Sequence, residues 1–130
     1  MAIFNGDAGG SALDVQVAVS GRRRTLLVSG ELDMASAPRF LVLVVHFCND
    51  GAPELMIDLS QLNFVDSGGL NAILMAQREC RHRRTTFMLT PPTGAARRVF
   101  EMTGMLDALP FVESSSEPGR PSRKANGAIA

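Results

Sequence analysis

Apolar residues recur along this chain in an order that leaves few folds open: two strand-like segments come first, and helix-like and strand-like segments alternate after them. In the first segment every second residue is apolar, which is the period of a half-buried strand: Leu13, Val15, Val17 and Val19. A turn at residues 20–22 leads to a second apolar segment at 25–28, so the pair is predicted to form an antiparallel hairpin. A hairpin followed by alternating helices and strands predicts an α/β fold with a mixed, mostly parallel sheet and right-handed crossovers.

The rest of the chain completes the predicted order ββαβαβα, with a sheet of four to five strands. The helix over 67–81 is the clearest, because Leu70, Ile73 and Leu74 have the spacing of an amphipathic helix. The strand at 54–59 is nearly continuous in apolar residues and is therefore predicted to be central. The other predicted elements are helices over 34–49 and from 91 to a stop at Gly104, a strand over 85–89 and a weak final edge strand over 109–112.

A single domain is predicted over residues 13–113, because a chain of 130 residues is long enough to close one core but not two. Residues 1–12 are rich in Gly, Ala, Asn and Asp without any period, so we expect a loose leader there. Residues 114–130 consist largely of Ser, Pro, Gly and basic residues with almost nothing to bury, so we expect a disordered tail.

The first predicted helix has an unusual apolar segment at residues 40–48. Its residues are apolar on every face and often β-branched, so periodicity alone does not separate a helix from a buried strand, but its position between strands favours a helix. A helix of this composition would carry Leu and Val on a face that is normally polar. We therefore expect it to contact something else, with self-association through helix 40–48 as one outcome.

Composition limits the partners. With 13 basic and 13 acidic residues the formal charge is zero, and Trp and Tyr are absent, so nucleic acid is not an expected partner. The arginine runs at 22–24 and 81–84 are interpreted as solvated charges. No apolar run approaches the ~20 residues of a membrane helix, so no membrane insertion is expected. With no secretory start before Cys48 and Cys80, we expect a cytoplasmic protein with reduced, buried thiols.

No catalytic residues, cofactor or metal are predicted. A hydrolase would need a base near Ser67, yet His82 is fifteen residues further along the same predicted helix, about 22 Å away at ~1.5 Å per residue. The pairs His46 with Cys48 and Cys80 with His82 are two residues apart, and residues at that spacing point to different faces of a helix. Further ligands for a metal are lacking, so enzyme activity is the weakest hypothesis.

The serine at position 67 is the main candidate site. It begins a helix just after a central strand, which is where ligands meet α/β sheets, and Glu31 and Asp33 leave the sheet at the same edge. Taken alone, Ser67 is most simply interpreted as a helix N-cap. Glu31 and Asp33 fit equally well as residues that shape a loop, with Asp33 capping the next helix, and as residues that contact a partner.

Four sequence blocks carry a family resemblance. They are Gly30-Glu31-Leu32-Asp33, Ile57-Asp58-Leu59-Ser60, Phe64-Val65-Asp66-Ser67-Gly68-Gly69-Leu70 and Val99-Phe100-Glu101-Met102-Thr103-Gly104. In this order and spacing they resemble the signature blocks of the STAS domain, the domain of bacterial anti-sigma factor antagonists and of sulfate transporter tails. The resemblance extends from Leu13 to Val112, and the four blocks together are much more specific than any one of them.

The resemblance implies a phosphorylation switch. It makes Ser67 the phosphoacceptor of an anti-sigma factor serine kinase of the histidine-kinase-like ATPase class, with a serine phosphatase that resets the switch. The implied partner-binding residues are Glu31, Asp33, Asp66, Ser67, Gly68, Gly69 and Leu70. Many family members have Ser or Thr where this chain has Gly68, and without a side chain Gly68 is expected to let a partner backbone approach closely.

The expected function is therefore that of an anti-sigma factor antagonist, which frees a sigma factor by binding the anti-sigma kinase. A phosphate on Ser67 would add about −1.5 to −2 charges at the positive end of a helix, so the fold should tolerate it. An interface centred on Ser67 would have to desolvate that charge beside Asp66, so binding should switch off. The alternative from another class is an accessory or ligand-binding module that docks on a lipid-transport ATPase.

Overall fold

The computed structural model describes residues 2–5 and 12–112, which form a five-stranded mixed sheet with helices. The strands lie side by side in chain order, antiparallel from the first to the third and parallel from the third to the fifth. The predicted mixed α/β fold is thus confirmed. The elements are β1 (Ala2–Asn5), β2 (Leu13–Ser20), β3 (Arg23–Leu32), α1 (Ala37–Asn49), β4 (Glu54–Val65), α2 (Ser67–His82), β5 (Thr86–Thr90), α3 (Gly94–Met102) and α4 (Met105–Ala108).

The prediction of a loose leader over residues 1–12 is wrong for part of that segment. Ala2–Asn5 forms β1, which pairs antiparallel with β2, Ala2 opposite Val17 and Asn5 opposite Asp14. Four residues are too few to display an alternating pattern, and the open edge of β2 supplies backbone hydrogen-bond partners whatever the side chains are. Residues 1 and 6–11 and the predicted tail at 114–130 lie outside the described residues.

The predicted final strand at 109–112 is reduced to a single parallel bridge between Phe111 and Leu89. The backbone N–H of Val112 donates to the Leu89 carbonyl at 2.7 Å, and Leu89 N–H donates to the carbonyl of Pro110. Pro110 has no N–H of its own, so the ladder cannot extend through it. The short helix α4, which was not predicted, precedes this bridge and follows Gly104, whose φ of 76° ends the preceding helix.

Strand β4 is twice as long as predicted, and its pairing with β3 is irregular at two points. Leu27 of β3 lies opposite Asp58, but Ser29 lies opposite Gln61, so β4 has one extra residue here. The Asp58 carboxylate accepts the backbone N–H of Ser60 at 2.9 Å and the Thr90 hydroxyl at 2.6 Å. Burial alone would raise the pKa of Asp58, yet these hydrogen bonds hold it below its ordinary value.

Helix α1 is confirmed, and the protein's own core uses most of its apolar residues. Five of its side chains are buried: Phe40, Leu43, Val44, Phe47 and Cys48. Val42 remains 65% exposed, so the outer apolar face is much smaller than the composition indicated. Self-association through residues 40–48 stays a prediction.

Both cysteines are buried, as predicted. The Sγ atoms of Cys48 and Cys80 are 3.4 Å apart where α1 packs on α2, and burial raises the pKa of the Cys80 thiol. Among the described residues, no helix is both long enough and apolar enough to cross a membrane.

Candidate functional site

The carboxyl ends of β3 and β4 meet at one edge of the sheet. Leu32 pairs with Val65, the last residue of each strand, and the chain leaves both strands side by side. As a result the loop that follows Leu32 lies against the start of α2. The predicted gathering of Glu31, Asp33, Asp66 and Ser67 at one edge of the sheet follows from this pairing.

Asp66, and not Ser67, is the N-cap of α2. Its backbone is extended, and its Oδ1 accepts the N–H of Gly69 at 2.9 Å. The simple interpretation of Ser67 as the cap is therefore wrong. Ser67 is the first residue of the helix and is exposed, and its hydroxyl makes no hydrogen bond with any other described residue.

Asp66 also joins the two loops of the site. Its second oxygen, Oδ2, accepts the backbone N–H of Met34 at 3.3 Å. One carboxylate thus fixes the start of α2 and the loop after β3 at the same time. Because both partners are backbone N–H groups, the carboxylate holds the geometry of the site without needing a basic side chain.

Asp33 shapes the loop before α1. Its Oδ1 accepts the backbone N–H groups of Ala35 and Ser36, each at 3.0 Å. The buried Ser36 hydroxyl donates to the Glu31 carbonyl at 2.9 Å and accepts the Asp33 N–H at 2.9 Å. The loop-shaping role of Asp33 is confirmed, whereas its contact with a partner stays a prediction. Ser36, and not Asp33, occupies the N-cap position of α1, and its side chain makes no capping hydrogen bond there.

Two glycines allow the loop and the helix to approach this closely. A Cβ on Gly69 would lie 2.1 Å from the Leu32 carbonyl oxygen, and one on Gly68 would lie 2.9 Å from Met34 Cα. The space beside Gly68 is therefore filled by the protein's own Met34, where the sequence suggested the backbone of a partner. Gly69 is buried and Leu70 belongs to the core, so neither presents much surface.

A shallow apolar groove begins next to Ser67. It lies between the N-terminal halves of α1 and α2 and has a volume of about 310 Å³. We call it the α1–α2 groove. Its residues include Met34, Pro38, Leu41, Gly68, Asn71 and Met75.

The groove was not predicted, because nothing in the sequence links Met34 to Met75. Met34 is 72% exposed and Met75 is 44% exposed, so both are at the surface of the folded chain. A methionine at helical spacing is usually a core residue, and only the packing of α1 against α2 shows that these two side chains are left outside.

The edge around Ser67 is acidic. Among the described residues, no ion pair includes Glu31, Asp33 or Asp66. The same part of the chain holds no group of three or more His, Cys, Asp or Glu residues that could bind a metal ion. His82 is the last residue of α2, at the opposite end from Ser67. The site offers an exposed hydroxyl at a helix N-terminus with carboxylates on either side.

Comparison with known families decides which family this is. The family model described as "Mlab, STAS domain" matches residues 15–112, which is most of the chain. The chain belongs to the STAS domain family. This confirms the resemblance carried by the four sequence blocks, and it assigns the mixed sheet and the Ser67 edge to a STAS domain.

Relatives of this STAS domain bear regulatory names. The anti-sigma-B factor antagonist of Listeria monocytogenes is 32% identical over 85 residues, which cover 65% of this chain and 74% of the relative. The crystal structure of an anti-sigma factor antagonist from Mycobacterium paratuberculosis superposes with a TM-score of 0.69 at 28% identity, covering 80% of this chain and 87% of the other. The phosphorylated form of the Bacillus cell fate determinant SpoIIAA shares the fold, with a TM-score of 0.60 at 20% identity and coverages of 89% and 99%.

Proposed function

We propose that this STAS domain is an anti-sigma factor antagonist that is switched off by phosphorylation of Ser67. The observation that carries the proposal is the exposure of the Ser67 hydroxyl at the first position of α2, with Asp66 in the capping role. Because Asp66 already satisfies the Gly69 N–H, modification of Ser67 removes no hydrogen bond from the fold. The anti-sigma factor antagonist names of the Listeria and Mycobacterium relatives support the same function.

The partners in this proposal are an anti-sigma factor serine kinase of the histidine-kinase-like ATPase class and a serine phosphatase. The unphosphorylated domain binds the kinase through the edge that carries Glu31, Asp33 and Ser67, and a sigma factor is released to activate transcription. The kinase then phosphorylates Ser67, and the phosphatase restores the binding form. The domain itself regulates and catalyses no reaction.

Electrostatics explains why a phosphate would end binding while the fold survives. The N-terminus of α2 carries a partial positive charge that stabilises about −1.5 to −2 charges on Ser67. An interface over this edge would bury the phosphate next to Asp66, with Glu31 and Asp33 nearby. Among the described residues, no basic side chain forms an ion pair with these three carboxylates. Desolvating such a charge costs several kcal/mol unless the partner supplies matching Arg or Lys.

Mass spectrometry tests the phosphoacceptor. The protein is incubated with ATP and the ATPase-class kinase identified by co-purification, and phosphate incorporation is compared between the natural chain and Ser67→Ala. A matched control is Ser20→Ala, an exposed serine at the end of β2. We expect one phosphate on the natural chain and on Ser20→Ala and none on Ser67→Ala. Equal incorporation in all three proteins would remove Ser67 from the mechanism.

A second candidate function is favoured by the description of the matching family model, "Mlab, STAS domain", which is not an anti-sigma factor antagonist name. In this candidate the domain is an accessory module of a lipid-transport ATPase, and its docking does not require phosphorylation. Co-purification separates the two. Recovery of a transporter ATPase without a kinase or sigma factor would support the accessory module.

A further inference from the structure

We propose that the α1–α2 groove binds an apolar side chain of the anti-sigma kinase, presented by a segment that also carries Arg or Lys. The inference rests on the proposed function and adds to it a second contact point beside Ser67. Met34 and Met75 thereby help to select the partner. Neither the four sequence blocks nor the names of the relatives assign this role to the two methionines.

The groove contains apolar surface that the fold leaves unused. Met34 and Met75 are 72% and 44% exposed, and both line the same groove, one from the loop before α1 and the other from α2. A scattered exposed methionine needs no explanation, but two that face one concave surface make an apolar pocket with few polar groups. Such a pocket suits a single Leu, Ile, Met or Phe side chain.

The backbone of the groove is fixed while its side chains can adapt. Met34 is held by the hydrogen bond from its N–H to Asp66 and by the close approach of its Cα to Gly68. Preorganised backbone lowers the entropy lost on binding. Methionine side chains are flexible and polarisable, so they close around an inserted side chain without a matching fixed shape.

The acidic edge indicates the charge of the partner segment. Gly68 lines the groove and directly follows Ser67, so a partner that covers both the groove and Ser67 also lies beside the edge that carries Glu31, Asp33 and Asp66. These carboxylates have no basic partner among the described residues. A segment with Arg or Lys next to its apolar anchor is therefore complementary in both respects.

The kinase fits this position better than a second copy of the chain does. Two copies meeting through this face in a two-fold dimer would bring the same carboxylates together, and like charges in an interface are unfavourable. The kinase, in contrast, must cover this edge in any case, since its active site has to reach the Ser67 hydroxyl. A contact in the adjoining groove extends that interface without a new approach direction.

Calorimetric titration against the anti-sigma kinase tests the inference. Met34→Glu and Met75→Glu each place a charge in the groove, and Met75→Leu keeps it apolar. The matched controls are Val42→Glu on α1 and Met102→Glu on α3, which change exposed apolar residues outside the groove, 65% and 78% exposed. We expect Kd to rise about tenfold or more for the two groove glutamates and less than about threefold for Met75→Leu and the controls.

Circular dichroism spectra that match the natural chain establish that each variant is folded. If Met34→Glu and Met75→Glu bind the kinase as tightly as the control variants do, the inference is overturned. Normal phosphorylation of Ser67 in the same variants would still support the proposed function. A natural chain that neither binds the kinase nor accepts phosphate would instead overturn the proposed function. Conversion of a dimer to a monomer by the groove glutamates would assign the groove to a second copy and overturn the inference as well.

Discussion

The two ends of the parallel strands differ in how their charges are held. At the end where β3 and β4 begin, arginines pair with the protein's own carboxylates: Arg23 with Glu54 at 3.2 Å, Arg24 with Asp50 at 3.8 Å, and at the end of α2 Arg83 with Glu79 at 3.0 Å. At the Ser67 end the acceptors are carboxylates and the donors are backbone N–H groups. Three arginines at one end are thus paired with the protein's own carboxylates, whereas the carboxylates at the Ser67 end have no basic partner among the described residues.

This difference indicates where a partner would bind. Surface ion pairs such as those of the arginines contribute little to stability, but they reduce the unbalanced charge available to another molecule. At the Ser67 end, close backbone packing holds the loop and α2 in place, and the carboxylates stay unpaired by basic groups. A rigid backbone, an exposed hydroxyl and uncompensated charge together favour recognition by a basic partner.

The largest effect is expected where the packing is closest. Gly69→Ala would place a Cβ 2.1 Å from the Leu32 carbonyl oxygen, so the loop or the helix has to move, and we expect a loss of about 3 kcal/mol or more in the free energy of unfolding. At the opposite end, Gly51→Ala meets no atom within 4 Å and costs only about 1 kcal/mol for its positive φ. Urea denaturation measures both, and equal losses would show that the close contact is not rigid.

The cap of α2 should rank next. Asp66→Ala removes the acceptor for Gly69 N–H and for Met34 N–H, so we expect a loss of about 1–2 kcal/mol. Asp66→Asn keeps one acceptor oxygen and should lose less. Thermal unfolding ranks the two variants, and an Asp66→Ala protein as stable as the natural chain would contradict the assigned cap.

The Asp58 carboxylate in β4 should make the stability of the protein depend on pH. Thr90→Val removes the hydroxyl that donates to Asp58, and we expect a loss of about 1 kcal/mol at neutral pH. The pKa of Asp58 is lower in the folded protein than its ordinary value of 3.8, so its contribution is present above that pH and is lost as the pH falls through the folded value. The difference in the free energy of unfolding between the natural chain and Thr90→Val should therefore become smaller at acidic pH. Urea denaturation at several pH values measures this difference, and a difference that does not change with pH would contradict the prediction.

The smallest effect is expected at the arginine end. Arg24→Ala and Arg83→Ala each break a partly exposed surface ion pair, and we expect a change of about 0.5 kcal/mol or less. Salt should reduce even this change because the pairs are screened. Urea denaturation at low and high salt provides the measurement. Losses as large as that of Asp66→Ala would remove the contrast between the two ends.

Regular patterns predicted most of the fold. The alternation in β2 and the apolar spacing in α2 were long enough to predict those elements, and the order of strands then placed Glu31, Asp33 and Ser67 at one edge. Strand β1 was missed because four residues show no period. The second half of β4 was missed because residues 60–65 do not alternate regularly where two extra residues shift the register.

The details of the site depended on contacts between distant residues. Asp66 and Ser67 are both good N-caps, and only the register with which β4 ends makes Asp66 the cap. Gly68 could be identified as unusual from the sequence, but its reason is the approach of Met34, which is 34 positions earlier in the chain. The α1–α2 groove likewise exists only after two helices have packed.

The most direct test of the switch compares the affinity of two forms of one protein. The unphosphorylated chain and the chain carrying phosphate on Ser67 are each titrated calorimetrically against the anti-sigma kinase in the presence of a non-hydrolysable nucleotide. We expect the phosphorylated form to bind about a hundredfold more weakly, because its charge cannot be desolvated next to Asp66. Equal affinities for the two forms would contradict the account.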